Sequence, residues 1–212
     1  METVIDVKNV SKCFGKEIVL SNINMKLKKG CIYGIVGKNG SGKSVLFKLI
    51  AGYLKPTAGS ISVMGKKIGE DIDFPESMGL IIETPGFLSQ YNGFQNLEYL
   101  ANIRHLIDKE DIKNAMKLVG LDPLSKKKVG KYSLGMKQRL AIAQAIMEKP
   151  DVILLDEPMN GLDKRGVEQI KNLLIELKSK GKVIIMTSHY AEDVQICDEI
   201  YEMDNGSLVR LD

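Results

Sequence analysis

The segment GKNGSGKS at residues 37–44 has the spacing G-x-x-x-x-G-K-[ST] and lies between an apolar run and a helical pattern. In that context glycines let backbone N–H groups surround phosphate oxygens, and the helix N-terminus adds a favourable dipole. Lys43 is expected to reach the β- and γ-phosphates, and the Ser44 hydroxyl to bind Mg²⁺. A Gly-rich turn without a ligand is disfavoured because strand, helix and spacing agree. The predicted nucleotide-binding residues are Gly37, Lys38, Asn39, Gly40, Ser41, Gly42, Lys43, Ser44 and Val45.

Two acids, Asp156 and Glu157, follow the apolar residues 152–155 in the segment VILLDEP. Asp156 suits the coordination shell of Mg²⁺, most simply through water. Glu157 is one residue further along, so it points in a different direction and can polarise an attacking water. Acids at a strand end are often only solvated, but a nearby phosphate loop favours the functional interpretation. We therefore predict Asp156 as a metal ligand, and Glu157 and Lys43 as catalytic residues.

His189 ends the apolar run VIIMTSH and is one of only two histidines. A structural role is the simpler interpretation of an isolated histidine. At the carboxyl edge of the same sheet, however, His189 could contact the terminal phosphate and hold the attacking water, which makes it a candidate catalytic residue. His105 lies in a helical pattern without partners and is expected at the surface.

The apolar runs predict the architecture that must position these residues. The segments CIYGIVG, MGLII, VILLDE and VIIMTSH are nearly continuous and apolar, as in strands buried on both faces, and helical patterns separate them. This alternation predicts a mainly parallel α/β sheet. The first thirty residues alternate in polarity and predict antiparallel strands, with Ile23, Met25 and Leu27 on one face. An Asn205-Gly206 turn predicts a terminal hairpin.

Residues 87–149 differ because they show helical faces and no convincing strand. We predict one domain over residues 1–212. Residues 1–86 and 150–212 would form the α/β core with its antiparallel β subdomain, and residues 87–149 an inserted helical subdomain.

Composition excludes several classes of protein. The 30 basic residues against 27 acidic ones leave a net charge of +3, so no nucleic-acid partner is expected. The 3 cysteines have no metal spacing, which fits a reducing cytosol. No apolar run approaches the ~18 residues needed to span a bilayer.

Five motifs in order, namely GKNGSGKS, YSLGMKQR, VILLDEP, NGLD and TSH, resemble those of ATP-binding-cassette (ABC) ATPases along essentially the whole chain. The resemblance implies a P-loop NTPase (RecA-like) core that hydrolyses ATP with Mg²⁺. It also implies a head-to-tail dimer, with a second copy or a homologous ATPase. There Ser133 and Gly135 of the signature loop would bind the ATP held by the other subunit. Leu134 and Met136 depart from the usual signature, and an ordinary capped helix is the alternative.

The resemblance implies roles in the ATP site for two further residues, Phe14 and Glu83. Phe14 matches an aromatic, usually Tyr, that stacks on adenine; a core phenylalanine is the alternative. Glu83 occupies a position that is usually Gln, near Mg²⁺ and the attacking water. As a carboxylate it is expected to be a metal-proximal residue that either binds Mg²⁺ or stays turned away until the dimer closes. The segment IIETPG, at residues 81–86, would be the hinge between the ATP site and the membrane-facing helices.

The short chain, the ETPG segment and the form of the signature look most like bacterial exporters of the bacitracin and lantibiotic-immunity type. That likeness implies an integral membrane permease as partner and a location on the cytoplasmic face of the membrane. Two alternatives are a soluble ABC-type ATPase acting on ribosomes or DNA, and a P-loop small-molecule kinase. The first usually has a second cassette or a long coiled coil, and this chain shows neither. The second gives no reason for the signature loop.

Overall fold

The computed structural model describes residues 2–83 and 86–211. Its strands are β1 (Thr3–Phe14), β2 (Glu17–Lys28), β3 (Ile32–Val36), β4 (Ala58–Val63), β5 (Lys66–Lys67), β6 (Met78–Ile81), β7 (Val152–Leu155), β8 (Val183–Ser188), β9 (Glu199–Asp204) and β10 (Ser207–Leu211). Its α-helices are α1 (Lys43–Ile50), α2 (Gly93–Arg104), α3 (Lys109–Leu118), α4 (Leu134–Ile146) and α5 (Lys164–Ser179).

The larger sheet has six strands in the order β10-β9-β3-β8-β7-β6. Strands β6, β7, β8, β3 and β9 run parallel, and only the terminal β10 is antiparallel. The predicted mainly parallel α/β core is therefore confirmed. Because parallel strands share one carboxyl edge, the segments that follow β3, β6, β7 and β8 meet there.

One buried strand was predicted wrongly. The run MGLII forms β6, but β6 pairs only with β7 among the described residues and so lies at the edge of the sheet. Met78, Gly79 and Leu80 are consequently half-buried, and only Ile81 is fully buried. An apolar run therefore does not specify the place of its strand in the sheet.

The smaller sheet is antiparallel, in the order β2-β1-β4-β5. Its alternating pattern turns Ile23, Met25 and Leu27 inward, as predicted. These side chains share one core with α1 and with the inner strands of the parallel sheet. The antiparallel sheet therefore covers the helix that follows the phosphate loop. The terminal β9–β10 hairpin turns at Asn205 and Gly206, both with positive φ, as predicted.

The helices α2, α3 and α4 form a compact group within residues 93–146. Their N-termini are capped by Asn92, Asp108 and Ser133, whose side chains accept backbone N–H bonds. Their apolar faces share a core with β6, β7 and β8. The limits 87 and 149 of a helical subdomain stay a prediction.

Gly79 fixes α4 against the sheet. A methyl group added at Gly79 would lie 1.8 Å from the carbonyl oxygen of Ala145, so the two backbones touch. This close approach needs glycine in β6. It sets the height of α4, and with it the position of Ser133 at its N-terminus, relative to the carboxyl edge of the sheet.

Candidate active site

The phosphate loop joins β3 to α1 in a tight turn. Gly42 has a φ of 110°, a left-handed value that side-chain-bearing residues avoid. At Gly37, an added methyl group would lie 2.3 Å from the carbonyl oxygen of Met203. The loop can therefore take this course only with glycine at both positions.

Lys43 is buried inside this turn, with 6% of its surface exposed. Its Nζ donates to the carbonyl oxygens of Gly37, at 2.6 Å, and Lys38, at 2.9 Å. Burial lowers the pKa of Lys43 below its ordinary value, while the carboxylates of Glu157 and Asp156 act in the opposite direction. The loop thus presents a cation already oriented toward the place where phosphate oxygens would lie.

The Ser41 hydroxyl gives a second sign of a ligand in the loop. It is buried and has no hydrogen-bond partner within residues 2–83 and 86–211. Buried polar groups in folded proteins are nearly always paired, so an unpaired one calls for an explanation. A phosphate oxygen would supply the missing partner.

Asp156 joins three elements at the carboxyl edge of the sheet. Its Oδ2 accepts from the Ser44 hydroxyl on α1, at 2.8 Å, and its Oδ1 accepts from the Thr187 hydroxyl on β8, at 2.6 Å. Its backbone N–H donates to Ile81 on β6, at 2.9 Å. The carboxylate directly after β7 is therefore held in one orientation from both sides.

The residues present fit a magnesium ion. A serine hydroxyl and a carboxylate in contact are the hard oxygen ligands that Mg²⁺ prefers. In the described part of the chain, no group of three or more His, Cys, Asp or Glu side chains is placed so that it could hold a metal ion by itself. Mg²⁺ typically binds through one or two carboxylates plus substrate phosphates, so Ser44 and Asp156 suit an ion shared with a nucleotide.

Glu157 is held by three neighbours and by its backbone. Its carboxylate contacts His189 Nε2 and accepts from Asn160 Nδ2, and its N–H donates to Thr187, at 2.9 Å. His189 Nδ1 also lies 2.9 Å from the carbonyl oxygen of Gly37. Glu157 itself has a φ of 49°, a conformation that an L-residue keeps only when its surroundings impose it. One histidine thus connects the predicted base to the phosphate loop.

Glu83 follows β6 and lines a cavity of about 480 Å³ together with Asp156 and Glu157. The Glu83 carboxylate is paired with a lysine: its Oε1 lies 2.5 Å from Nζ of Lys48, on α1. Glu83 as a metal ligand stays a prediction, and its present partner is a lysine. The predicted hinge at residues 81–86 includes Thr84 and Pro85, which lie outside the described residues.

The signature loop packs on the NGLD segment of the same chain. The Ser133 hydroxyl caps α4 by accepting from Met136 N–H, at 3.2 Å, and Ser133 is exposed. A methyl group on Gly135 would lie 2.7 Å from the carbonyl oxygen of Gly161. Gln138 Nε2 donates to the carbonyl oxygen of Glu157, at 3.2 Å. The start of α4 is therefore tied to the loop that carries the catalytic candidate.

A family model described as ABC transporter matches residues 20–160. This chain belongs to the ABC transporter family. It is 47% identical to the uncharacterised ABC transporter ATP-binding protein YybJ of Bacillus subtilis, covering 97% of this chain and 94% of YybJ. The bacitracin transport ATP-binding protein BcrA of Enterococcus faecalis is 42% identical, over 99% of this chain and 69% of BcrA. The lantibiotic transport ATP-binding protein SrtF of Streptococcus pyogenes is 33% identical, over 97% of this chain and 89% of SrtF.

Solved ABC cassettes have the same fold. The dimeric structure of MJ0796, a bacterial ABC transporter cassette, superposes with a TM-score of 0.87 at 25% identity, covering 98% of this chain and 99% of that one. A post-hydrolysis state of MJ0796 bound to ADP and Pi gives a TM-score of 0.86 with the same coverage. The P-loop NTPase fold is confirmed, and this ABC subunit is an ATP-binding ATPase related to bacitracin and lantibiotic transport proteins.

Phe14 of this ABC subunit lies at the end of β1 with 46% of its surface exposed. The alternative of a core phenylalanine is therefore wrong. Lys12 Nζ lies 5.0 Å from the centre of its ring, so one face already contacts a cation. Adenine stacking on Phe14 stays a prediction. His105 is exposed at the end of α2, as expected.

Two residues that hold the acids of the site, Thr187 and Asn160, were not among the predicted site residues. Thr187 holds both Asp156 and Glu157, and Asn160 holds the Glu157 carboxylate. Both lie in motifs that were recognised, since Thr187 begins TSH and Asn160 begins NGLD. Their roles depend on contacts between strand ends, which local spacing does not specify.

Replacing Thr187 by Val should remove the hydrogen bonds that join Thr187 to Asp156 and Glu157. The Thr187→Val substitution keeps the shape but removes the partner of Asp156 Oδ1 and of Glu157 N–H, and we expect it to lower the free energy of unfolding by about 1–3 kcal/mol. It should also reduce ATPase turnover. Thr187→Ser keeps the hydroxyl and is the matched control. Denaturant unfolding and steady-state ATPase assays measure both effects, and equal behaviour of the two variants would contradict the assignment.

Proposed function

We propose that this subunit hydrolyses ATP at the interface of a head-to-tail dimer and thereby powers a membrane permease that exports peptide antibiotics or similar lipophilic compounds. The observation that carries the proposal is the Glu157 carboxylate, held by His189 and Asn160 beside the phosphate loop. A fixed carboxylate at this place can accept a proton from water attacking the terminal phosphate.

The residues of the loop and strand ends divide the work of hydrolysis. Lys43 and the loop N–H groups neutralise charge on the phosphate oxygens. Ser44 and Asp156 would hold Mg²⁺, which supplies further charge neutralisation when bound. Glu157 accepts the proton of the attacking water, and His189 keeps that carboxylate in register with the phosphate loop. The products are ADP and phosphate.

A dimer is proposed because the signature loop, which is part of the predicted ATP site, is not joined to the phosphate loop of its own chain. Ser133 is exposed, and no described hydrogen bond joins Ser133 or Gly135 to residues 37–45. The capped N-terminus of α4 is suited to bind phosphate. The solved cassette MJ0796 is described as dimeric. A second copy of this chain, or a homologous ATPase, would bring this loop to the nucleotide.

Replacing Glu157 by Gln should separate binding from hydrolysis. The Glu157→Gln variant keeps the size and the Asn160 contact but cannot accept a proton, so we expect turnover to fall by about 100-fold or more. ATP binding should persist, and an ATP-bound dimer should accumulate. Equilibrium nucleotide binding and light scattering after gel filtration with ATP measure these two outcomes.

Lys43→Ala is the control for that experiment. It removes the buried cation and should weaken ATP binding, so it should form no ATP-dependent dimer. Wild-type turnover in Glu157→Gln would remove Glu157 from its role. Unchanged nucleotide affinity in Lys43→Ala would contradict the assignment of the phosphate loop.

An apolar groove beside the site suits a segment of the permease. It has a volume of about 320 Å³ and lies between β6, α2 and α4. Leu88 and Tyr99 on its rim are exposed, with Tyr99 at 63%. The groove reaches Ile82, the residue before Glu83, so a segment bound there would touch the loop that leads to the nucleotide site. We propose that a cytoplasmic segment of the permease binds this groove.

The relatives support the proposal of export, and the groove supports the proposed location at the membrane. Relatives named for bacitracin and lantibiotic transport support a peptide antibiotic as cargo. Among the described residues no helix is both long and apolar enough to cross a bilayer. Binding of the groove to a permease segment would place the subunit on the cytoplasmic face of the membrane.

Replacing Tyr99 by Asp should weaken binding to the permease. The substitution places a charge in an apolar groove, and we expect recovery of the permease with the tagged subunit from native membranes to fall several-fold. ATPase activity of the isolated subunit should be unchanged, because Tyr99 lies on α2 outside the nucleotide site.

Val209→Asp is the matched control for that substitution. Val209 is as exposed as Tyr99, at 62%, but lies on β10, at the opposite edge of the six-stranded sheet. It should leave permease recovery unchanged. Equal recovery with Tyr99→Asp and Val209→Asp would exclude the groove as the permease site.

A further inference from the structure

Three acids meet at the carboxyl edge of the sheet where a triphosphate is expected. Glu83, Asp156 and Glu157 line the same cavity. Strands β6 and β7 are in parallel register, with Ile81 opposite Leu155, so the acids follow adjacent strand ends. Placing a polyanionic nucleotide beside three carboxylates costs electrostatic energy unless each is neutralised or bound.

Asp156 and Glu157 have partners within the site, whereas Glu83 has its partner outside it. The Glu83 Oε1 lies 2.5 Å from Lys48 Nζ, and among the described residues no other side chain donates to this carboxylate. Lys48 lies on α1, five residues after Lys43, which contacts the phosphate loop itself. One helix therefore carries a cation for the phosphates and a second cation for Glu83.

The backbone of Glu83 contributes to its orientation. Its φ is 61°, in the left-handed region that L-residues other than Asn and Asp seldom occupy. Such a conformation persists when the surrounding structure imposes it. The end of β6 thus turns the chain so that the Glu83 side chain meets α1.

We propose that Lys48 is a positioning residue that neutralises Glu83 and holds its carboxylate on α1, away from the phosphates and Mg²⁺. This inference rests on the proposed nucleotide site and extends it to a residue outside the recognised motifs. The pair is partly exposed, at 32% for the Lys48 side chain and 64% for Glu83. An exposed ion pair is weak and is screened by salt, so a small competing force can release Glu83.

Neutralising Lys48 should change two binding properties in opposite directions. In Lys48→Met the Glu83 carboxylate loses its partner, so its charge repels the nucleotide. ATP affinity in EDTA should fall about fivefold at low salt. The same free carboxylate attracts a cation, so half-saturation of ATP binding should need less Mg²⁺. Isothermal titration calorimetry measures both without relying on turnover, and both effects should shrink in 0.5 M NaCl, where the Debye length is only about 4 Å.

Further variants separate a charge effect from a structural one. Lys48→Arg keeps the cation and should behave as wild type. Lys48→Met combined with Glu83→Gln should bind ATP in EDTA like Glu83→Gln alone, because no charge is left to neutralise. Lys117→Met removes an exposed lysine from α3 and is the control for net charge. The melting temperature of each variant tests whether it folds. Lys48→Gln is a second variant that removes the charge of Lys48.

The outcomes are distinguishable. If Lys48→Met and Lys48→Gln bind ATP and Mg²⁺ as wild type does, the inference is wrong while the nucleotide site stands. A defect that persists when Glu83→Gln is added would show that Lys48 does not act through Glu83. If the wild-type protein itself fails to bind ATP, the proposed site and this inference fail together.

Discussion

The site depends on the hydrogen bonds of Asp156. Its carboxylate accepts from the hydroxyls of Ser44 on α1 and Thr187 on β8, and its backbone N–H donates to β6. Asp156 itself follows β7, so α1, β6, β7 and β8 are joined at one point. The carboxylate would keep a free negative charge for a metal ion and at the same time fix the distance between the phosphate loop and the strand ends. Loss of either hydroxyl would leave a charged oxygen without its partner.

Glu157, the next residue along the chain, is also held by contacts at the strand ends. Glu157 has a left-handed backbone and is oriented by Thr187, His189 and Asn160. Because Gln138 on α4 also donates to its carbonyl oxygen, the helical region is connected to the catalytic candidate. A movement of α4 would therefore change the position of Glu157. This connection gives a physical route from the groove beside α2 and α4 to the chemistry.

The sequence predicted the parallel core, the phosphate loop and the paired acids because each depends on local spacing or periodicity. It did not predict that β6 lies at the sheet edge, since apolarity does not encode strand order. It also did not reveal the Lys48–Glu83 pair or the Thr187–Asp156 bond, whose partners lie 35 and 31 residues apart. Such contacts follow from the alignment of strand ends, which becomes visible only in three dimensions.

We infer that Asp156 is held as an anionic ligand for the metal of a bound nucleotide. The most direct measurement is the ratio of ATP affinities with and without Mg²⁺, compared between wild type and Asp156→Asn by calorimetry. Asparagine keeps the size and one oxygen acceptor but removes the charge. We expect ATP binding in EDTA to persist in the variant and the gain in ATP affinity from Mg²⁺ to be largely lost. A Mg²⁺-dependent gain equal to that of the wild type would contradict it.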